Sequence, residues 1–173
     1  GAKNDNVNSD CKSFYFSWRL CVSAAIIFMT EVFSLPVRVY YEDTDAGGVV
    51  YHSNYLNFME RARTEWLRAL GFEQDELLRE YGVIFAVSTV SVAFHKPARF
   101  NELLAVTVAL DRRGAASLTL KQEVRRGDEL LASGEVRIAC LDAQRFVPVA
   151  IPKHVAATVL ATCGAAAAPA RRA

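Results

Sequence analysis

The sequence predicts an α+β domain in which a curved, five-stranded antiparallel sheet wraps around one long central helix. Three observations carry that prediction. A helical pattern from Ser53 to Leu70 is apolar over an unusually wide face. Four long β-patterned runs follow one another from Val83 to Asp142 with only turn-sized gaps. One further β-patterned run, Leu35–Tyr41, precedes the helix.

The elements are justified in order. Leu35–Tyr41 alternates apolar with polar and β-branched residues and reads as a strand. Glu42 to Gly48 is a loop. The helix then starts at about Ser53, with Ser53 or Asn54 as its N-cap, and stops at Leu70, with Gly71 just beyond. Tyr55, Met59, Ala62, Trp66 and Leu70 form its apolar stripe, which Leu56, Phe58 and Leu67 widen, so the helix should be largely enclosed. Arg61 and Glu65, on the remaining face, are spaced to pair at i, i+4. Glu73–Tyr81 reads as a short second helix. The runs VIFAVSTVSVAFH, LLAVTVALDRR, ASLTLKQEVRR and ELLASGEVRIACLD are separated by Pro97 with Asn101, by Gly114, and by Gly127-Asp128. Such short connections predict antiparallel neighbours. A last helix spans about Lys153–Leu160.

Composition narrows the function classes. With 173 residues, 52% of them apolar and 23% charged, the chain has room for one domain with a real core. A net charge of +1 gives no overall pull toward nucleic acid or anionic membrane, although local basic clusters could hold a phosphorylated small molecule. Cys11, Cys21, Cys140 and Cys163 lie far apart, without metal-type spacing, and read as reduced thiols of a cytoplasmic protein. His52, His95 and His154 form no ligand cluster, so no metal is expected. The apolar run 20–29 is too short to span a bilayer, and no A-x-A-like cleavage site follows it.

The chemistry concentrates in EDTDAGGVVYH, where strand gives way to helix. A helix start offers unpaired N–H groups and partial positive charge, and an adjacent carboxylate offers a nucleophile or base. Asp45 precedes Gly47-Gly48, whose permissive backbone lets the chain approach a substrate closely. Asp45 could equally be a turn-forming or helix-capping residue. Asp43 reads better as a solvated or hydrogen-bonding support. The ring of His52 could orient water or substrate, or only its backbone could matter. His95-Lys96-Pro97-Ala98-Arg99 ends a strand with two cations, fit for phosphate or for plain solvation. Arg61 and Arg63 could serve phosphate too, or form surface ion pairs. Arg125-Arg126 reads as a hairpin tip.

The order strand, D-x-D-x-x-G-x-V-[aromatic]-x-x-x-Y, helix, long meander resembles the hotdog-fold acyl-CoA thioesterases of the 4-hydroxybenzoyl-CoA type. Within them the likeness is to the Tol–Pal-associated acyl-CoA thioesterases of Gram-negative bacteria. VRVYYEDTDAGGVVYHSNYLNFMERARTEWLR carries it, HKPARFNE is a second signature, and it covers Leu35 to Leu160. The resemblance implies a hotdog fold and hydrolysis of aliphatic acyl-CoA or acyl carrier protein thioesters, with no metal or organic cofactor. It makes Asp45 the essential acid and puts the oxyanion donors near Tyr51–His52, with Gly48 nearby. Lys96, Arg99, Arg61 and Arg63 are its candidates for coenzyme A, Tyr41 and Tyr51 line the pocket, and Phe58, Phe85 and Phe94 set its depth. Active sites would lie between the subunits of a homodimer or homotetramer. Two other readings remain: a hotdog dehydratase or hydratase, which uses a differently arranged His–acid pair, and a non-catalytic adaptor for acyl carrier protein or lipid-synthesis enzymes.

Family members begin about eight residues before the VRVYY strand, where Met29 stands here. Residues 1–34 are therefore expected outside the fold, with 1–28 upstream of the family's start, 35–160 as the domain, and 161–173 as a frayed Ala/Pro/Arg tail. A chain begun at Met29 should retain full thioester-hydrolysing activity; loss of that activity would contradict the assignment of residues 1–28.

Overall fold

The computed structural model describes residues 32–163. The expected extension 1–28, Cys11 and Cys21, the apolar run 20–29 and the tail beyond residue 163 lie outside the described residues. The element order is β1 (Phe33–Arg38), α1 (His52–Ala69), α2 (Gln74–Tyr81), β2 (Val83–Phe94), β3 (Leu103–Arg113), β4 (Ser117–Arg126), β5 (Glu129–Asp142) and α3 (Lys153–Cys163). A short 3₁₀ turn, Tyr41–Asp43, follows β1. The strand that the sequence places at Leu35–Tyr41 thus begins and ends earlier, and Phe33 and Ser34 belong to the fold. α3 runs past Leu160, so residues 161–163, expected in the tail, are helical.

All five strands form one antiparallel sheet in the order β1-β3-β4-β5-β2. Neighbours in sequence pair at β3–β4 and β4–β5, as the short turns require. The expectation fails between β2 and β3, which lie far apart in the sheet. Residues 95–102 instead cross the opening of α1 to reach the other side. Their far end joins the β1–β3 ladder, where the Val39 N–H donates to the Glu102 carbonyl at 3.0 Å and the Asn101 N–H to the Val39 carbonyl at 3.0 Å. Asn101 makes this corner with φ 64°, a left-handed conformation that asparagine tolerates better than most residues.

α1 packs across β1, β3 and β4 through Tyr55, Phe58, Met59, Ala62, Trp66 and Leu67, all buried. The enclosure is one-sided: Leu56, expected in the apolar stripe, is exposed, and Leu70 only partly buried. Neither Ser53 nor Asn54 caps α1. Its N-cap is Tyr51, with no side-chain cap bond. Glu65 pairs with Arg68, which also binds Glu73, so the expected Arg61–Glu65 pair does not form.

Two contacts fix the helix on the sheet. The fully buried Gln122 donates through Nε2 to the Met59 carbonyl at 3.0 Å, while its Oε1 accepts from Arg63 at 2.9 Å. Gly134 lies directly beneath Met59, and a Cβ there would stand 3.2 Å from both Met59 Cε and Sδ and 3.3 Å from the Ser91 carbonyl. β2 is an edge strand whose residues Val87, Val90 and Phe94 share the helix side of the sheet with Ile138, Val136 and Ala132. α1 touches Phe94 through the edge of Tyr55, with ring centroids 5.4 Å apart, and still leaves all three residues about half exposed in the protomer.

Gly134→Val should therefore overpack the helix–sheet seam and cost about 1–3 kcal/mol. Urea unfolding should show a lower midpoint; an unchanged midpoint would mean that Met59 can move aside freely.

Candidate active site

The loop between β1 and α1 is built around Asp43 rather than suspended in solvent. Asp43 is 5% exposed, and its Oδ2 accepts the Tyr40 N–H at 2.8 Å. Its carbonyl accepts the Tyr51 N–H at 2.8 Å and the Asn54 side-chain amide at 2.9 Å. This one residue ties the strand exit to the helix entrance. Its carboxylate is a support inside the loop.

Asp45 sits on the outside of the same loop. Its N–H donates to the Val49 carbonyl at 2.9 Å and its own carbonyl accepts from the Gly48 N–H at 3.0 Å, closing a tight turn. Gly48 takes the left-handed conformation this needs, φ 72°. Oδ1 of Asp45 accepts the Gly47 N–H at 2.8 Å, and a Cβ on Gly47 would stand only 3.0 Å from that oxygen. The carboxylate thus forms an Asx turn and also presents its second oxygen outward, where no partner lies among the described residues.

The amides at the helix opening differ in availability. Those of Gly48 and Tyr51 are occupied by the bonds just given, and that of Asn54 donates to the Tyr51 carbonyl at 2.8 Å. Among the described residues no acceptor lies on the N–H of His52 or Ser53, the first two residues inside α1. Of the residues expected to support an oxyanion, Gly48 and Tyr51 have committed amides and His52 does not; Ser53, expected only as a cap, shares that uncommitted state. The His52 ring is exposed, 4.3 Å from the Tyr51 ring, and makes no hydrogen bond to Asp45.

The crossover 95–102 pins this opening from above. The Val50 N–H donates to the Ala98 carbonyl at 2.9 Å, Val49 forms a bridge with Arg99, and the Ala98 N–H donates to the buried Tyr55 hydroxyl at 2.9 Å. Burial pushes the Tyr55 phenol above its ordinary pKa, so it stays protonated. Tyr55, expected as part of the apolar stripe, also has a hydroxyl partner that helical periodicity does not reveal. The spacing of Tyr51 and Tyr55 in the loop motif was the available signal.

The four candidate cations do not converge. The Arg99 backbone adjoins the Asp45 loop, and its side chain is exposed without an ion pair among the described residues. Lys96 is exposed but pairs with Glu129. Arg61 and Arg63 stand two to three turns along α1 from His52, roughly 14 and 16 Å by helix rise. Arg61 is exposed, whereas Arg63 is half-buried against Gln122, and burial lowers its pKa. Tyr41 is 76% exposed and stacks on Phe100 with ring centroids 3.9 Å apart. Of the expected pocket phenylalanines, Phe94 is exposed and Phe85 half-buried, but Phe58 is fully buried in the core and lines no surface of the protomer.

A presented carboxylate oxygen beside two uncommitted amides at a helix N-terminus suits attack on a polarised carbonyl. The comparisons agree with that chemistry. The profile of the thioesterase-like superfamily matches residues 39–159. The acyl-CoA thioesterase YbgC of Haemophilus influenzae is 46% identical over 125 residues, 72% of this chain and 92% of that protein. The Escherichia coli acyl-CoA thioester hydrolase YbgC is 43% identical over 129 residues, 74% of this chain and 96% of that protein. A crystal structure of a probable thioesterase from Bartonella henselae superposes with a TM-score of 0.68 at 33% identity, covering 70% of this chain and all of that one. The chain belongs to the thioesterase-like superfamily, as a YbgC-like thioesterase with the hotdog fold.

The two aspartates should separate cleanly by stability. Asp43→Ala strands the Tyr40 N–H and should cost about 1–3 kcal/mol, whereas the exposed Asp45→Asn should change stability by no more than about 0.5 kcal/mol. Equal losses in urea unfolding would contradict this division of labour.

Proposed function

We propose that the protein hydrolyses acyl-CoA, releasing a free carboxylic acid and coenzyme A, with Asp45 as the reacting acid. One observation carries the reading: a carboxylate oxygen held outward by the Gly47-Gly48 turn, at the helix opening where the His52 and Ser53 amides lack acceptors. The thiolate is a good leaving group, so the demands on the site are an activated attacker and a stabilised oxyanion. Asp45 meets the first either by attacking the carbonyl carbon, forming an anhydride that water cleaves, or by taking a proton from the attacking water. The amides meet the second; one such donor is worth roughly 2.7–4 kcal/mol in acyl transfer. The helix dipole adds a further ~0.3–1 kcal/mol to the stabilisation of negative charge developing there. The reaction so written needs no metal or organic cofactor.

Asp45 is exposed on the protomer, so the proposed site is completed by a second copy. The free edge of β2 and its half-exposed Val87, Val90 and Phe94 supply the surface for that pairing, which would also cover an otherwise open sheet edge. A homodimer is the minimum and a homotetramer the fuller form. Arg99, beside the Asp45 loop, is the first candidate for the phosphates of coenzyme A. Lys96 would have to leave Glu129 to assist. Arg61 and Arg63 could act only on a ligand reaching well along α1, or from the neighbouring copy. The resemblance to the Tol–Pal-associated thioesterases supports aliphatic acyl groups, an envelope-linked role, a cytoplasmic location and acyl carrier protein as an alternative carrier. No helix among the described residues is long and apolar enough to cross a membrane.

Free-thiol release from a panel of acyl-CoAs tests the proposal. Asp45→Asn should lower kcat by at least about 10²-fold, the scale of acid–base catalysis. An Asn variant that hydrolyses at the wild-type rate would refute the assignment and favour a non-catalytic, adaptor-like role for this loop.

A further inference from the structure

A salt-bridge network remote in sequence from the catalytic loop is joined to it through the crossover, by way of hydrogen bonds on either side of the Ala98–Arg99 peptide. Arg126, at the end of β4, donates through one terminal nitrogen to both carboxylate oxygens of Glu102, at 2.7 and 2.8 Å. It also pairs with Glu129, which in turn holds Lys96. Oε2 of Glu102 accepts the Arg99 N–H at 3.0 Å, and the Arg99 carbonyl accepts the Glu102 N–H at 3.2 Å. Arg99 bridges to Val49, whose carbonyl accepts the Asp45 N–H at 2.9 Å. Next to it, Ala98 holds the Val50 N–H and the Tyr55 hydroxyl. Arg126 thus reaches the Asp45 backbone through Glu102, the Ala98–Arg99 peptide and the Val49–Val50 segment.

We infer that Arg126 and Glu102 form a positioning clamp that sets the crossover, and through it the Asp45 loop, in the reactive geometry. The inference rests on Asp45 being the reacting acid. Neither clamp residue touches that carboxylate. Arg126 is the counter-charge shared by two acids, Glu102 and Glu129, and of the two only Glu129 has a second cation, Lys96. With the arginine gone, Glu102 loses the partner that holds its carboxylate in place, and its grip on the Arg99 amide loosens. Both partners are partly exposed, so the pair contributes little to global stability. Its effect on rate is expected to be much larger, because misplacing a reacting group by about 1 Å can cost on the order of 10²-fold. The neighbouring Arg125 is a natural control. It turns to Glu123 and the Asp128 carbonyl and makes no hydrogen bond or ion pair to the crossover among the described residues.

The experiment compares Arg126→Met, Arg126→Lys, Glu102→Gln and Arg125→Met in the full chain. It measures kcat and KM by thiol release, melting temperature, and amide hydrogen exchange at Val50 and Arg99. Arg126→Met should lower kcat about tenfold or more with KM and melting temperature little changed, and should speed exchange at both amides. Arg126→Lys should restore most of kcat, Glu102→Gln should fall between, and Arg125→Met should match wild type. Should Arg126→Met not fold, Arg126→Lys and Glu102→Gln carry the same comparison. Unchanged exchange, an unchanged kcat, or an equal loss in Arg125→Met overturns the clamp. Fast exchange with full kcat overturns the clamp alone if Asp45→Asn is inactive; if Asp45→Asn is also active, the catalytic reading of the loop falls with it.

Discussion

The passage of residues 95–102 across the first turn of α1 is the constraint on which the candidate site depends. The sheet order leaves β2 and β3 far apart, so the chain between them must travel over the helix face. A backbone segment taken over a core cannot leave its polar groups unpaired without a cost of about 1–3 kcal/mol each. The groups it meets are those around the Asp45 loop: the Tyr55 hydroxyl takes the Ala98 N–H, and the Ala98 carbonyl takes the Val50 N–H. Satisfying the crossover and fixing the helix entrance are thus one event. The loop can then hold an outward carboxylate without collapsing, because Asp43 anchors it from within while the crossover holds it from above.

This division explains how two aspartates in nearly adjacent positions come to do different work. Asp43 is buried and spends its carboxylate on the Tyr40 amide. Asp45 is exposed, and the turn uses only one of its oxygens. The Asx turn and a reactive acid look like competing descriptions in the sequence, but the geometry of the turn is compatible with both. One oxygen orients the group and the other has no partner among the described residues. The helix opening is divided in a similar way, with the Gly48, Tyr51 and Asn54 amides closing the loop and those of His52 and Ser53 left over.

Much of the fold was legible in the sequence because it rests on local periodicity. The apolar face of α1, the stop at Gly71 and all four long strands follow from spacing and turn residues within a few positions. The β2–β3 crossover was not legible, since a link of that length is equally compatible with a hairpin. Only the demand that the sheet enclose α1 decides between them. The site was legible as a motif and not as a set of roles. Asp43, Asp45 and Gly48 stood out, but which amides remain free depends on tertiary bonds to Ala98 and within the loop. Arg126 read as a hairpin tip for the same reason: its partner Glu102 lies on another strand's threshold. The basic residues misled because charge in sequence does not report convergence. Arg63 turns inward to Gln122, and Lys96 is already paired.

The most direct measurement is a crystal structure of Asp45→Asn soaked with an intact acyl-CoA. The account predicts the thioester oxygen at about 2.7–3.1 Å from the His52 or Ser53 amide, with its carbonyl carbon facing the residue 45 side chain in a cleft closed by a second copy. A thioester bound elsewhere, with those amides facing solvent, would contradict it.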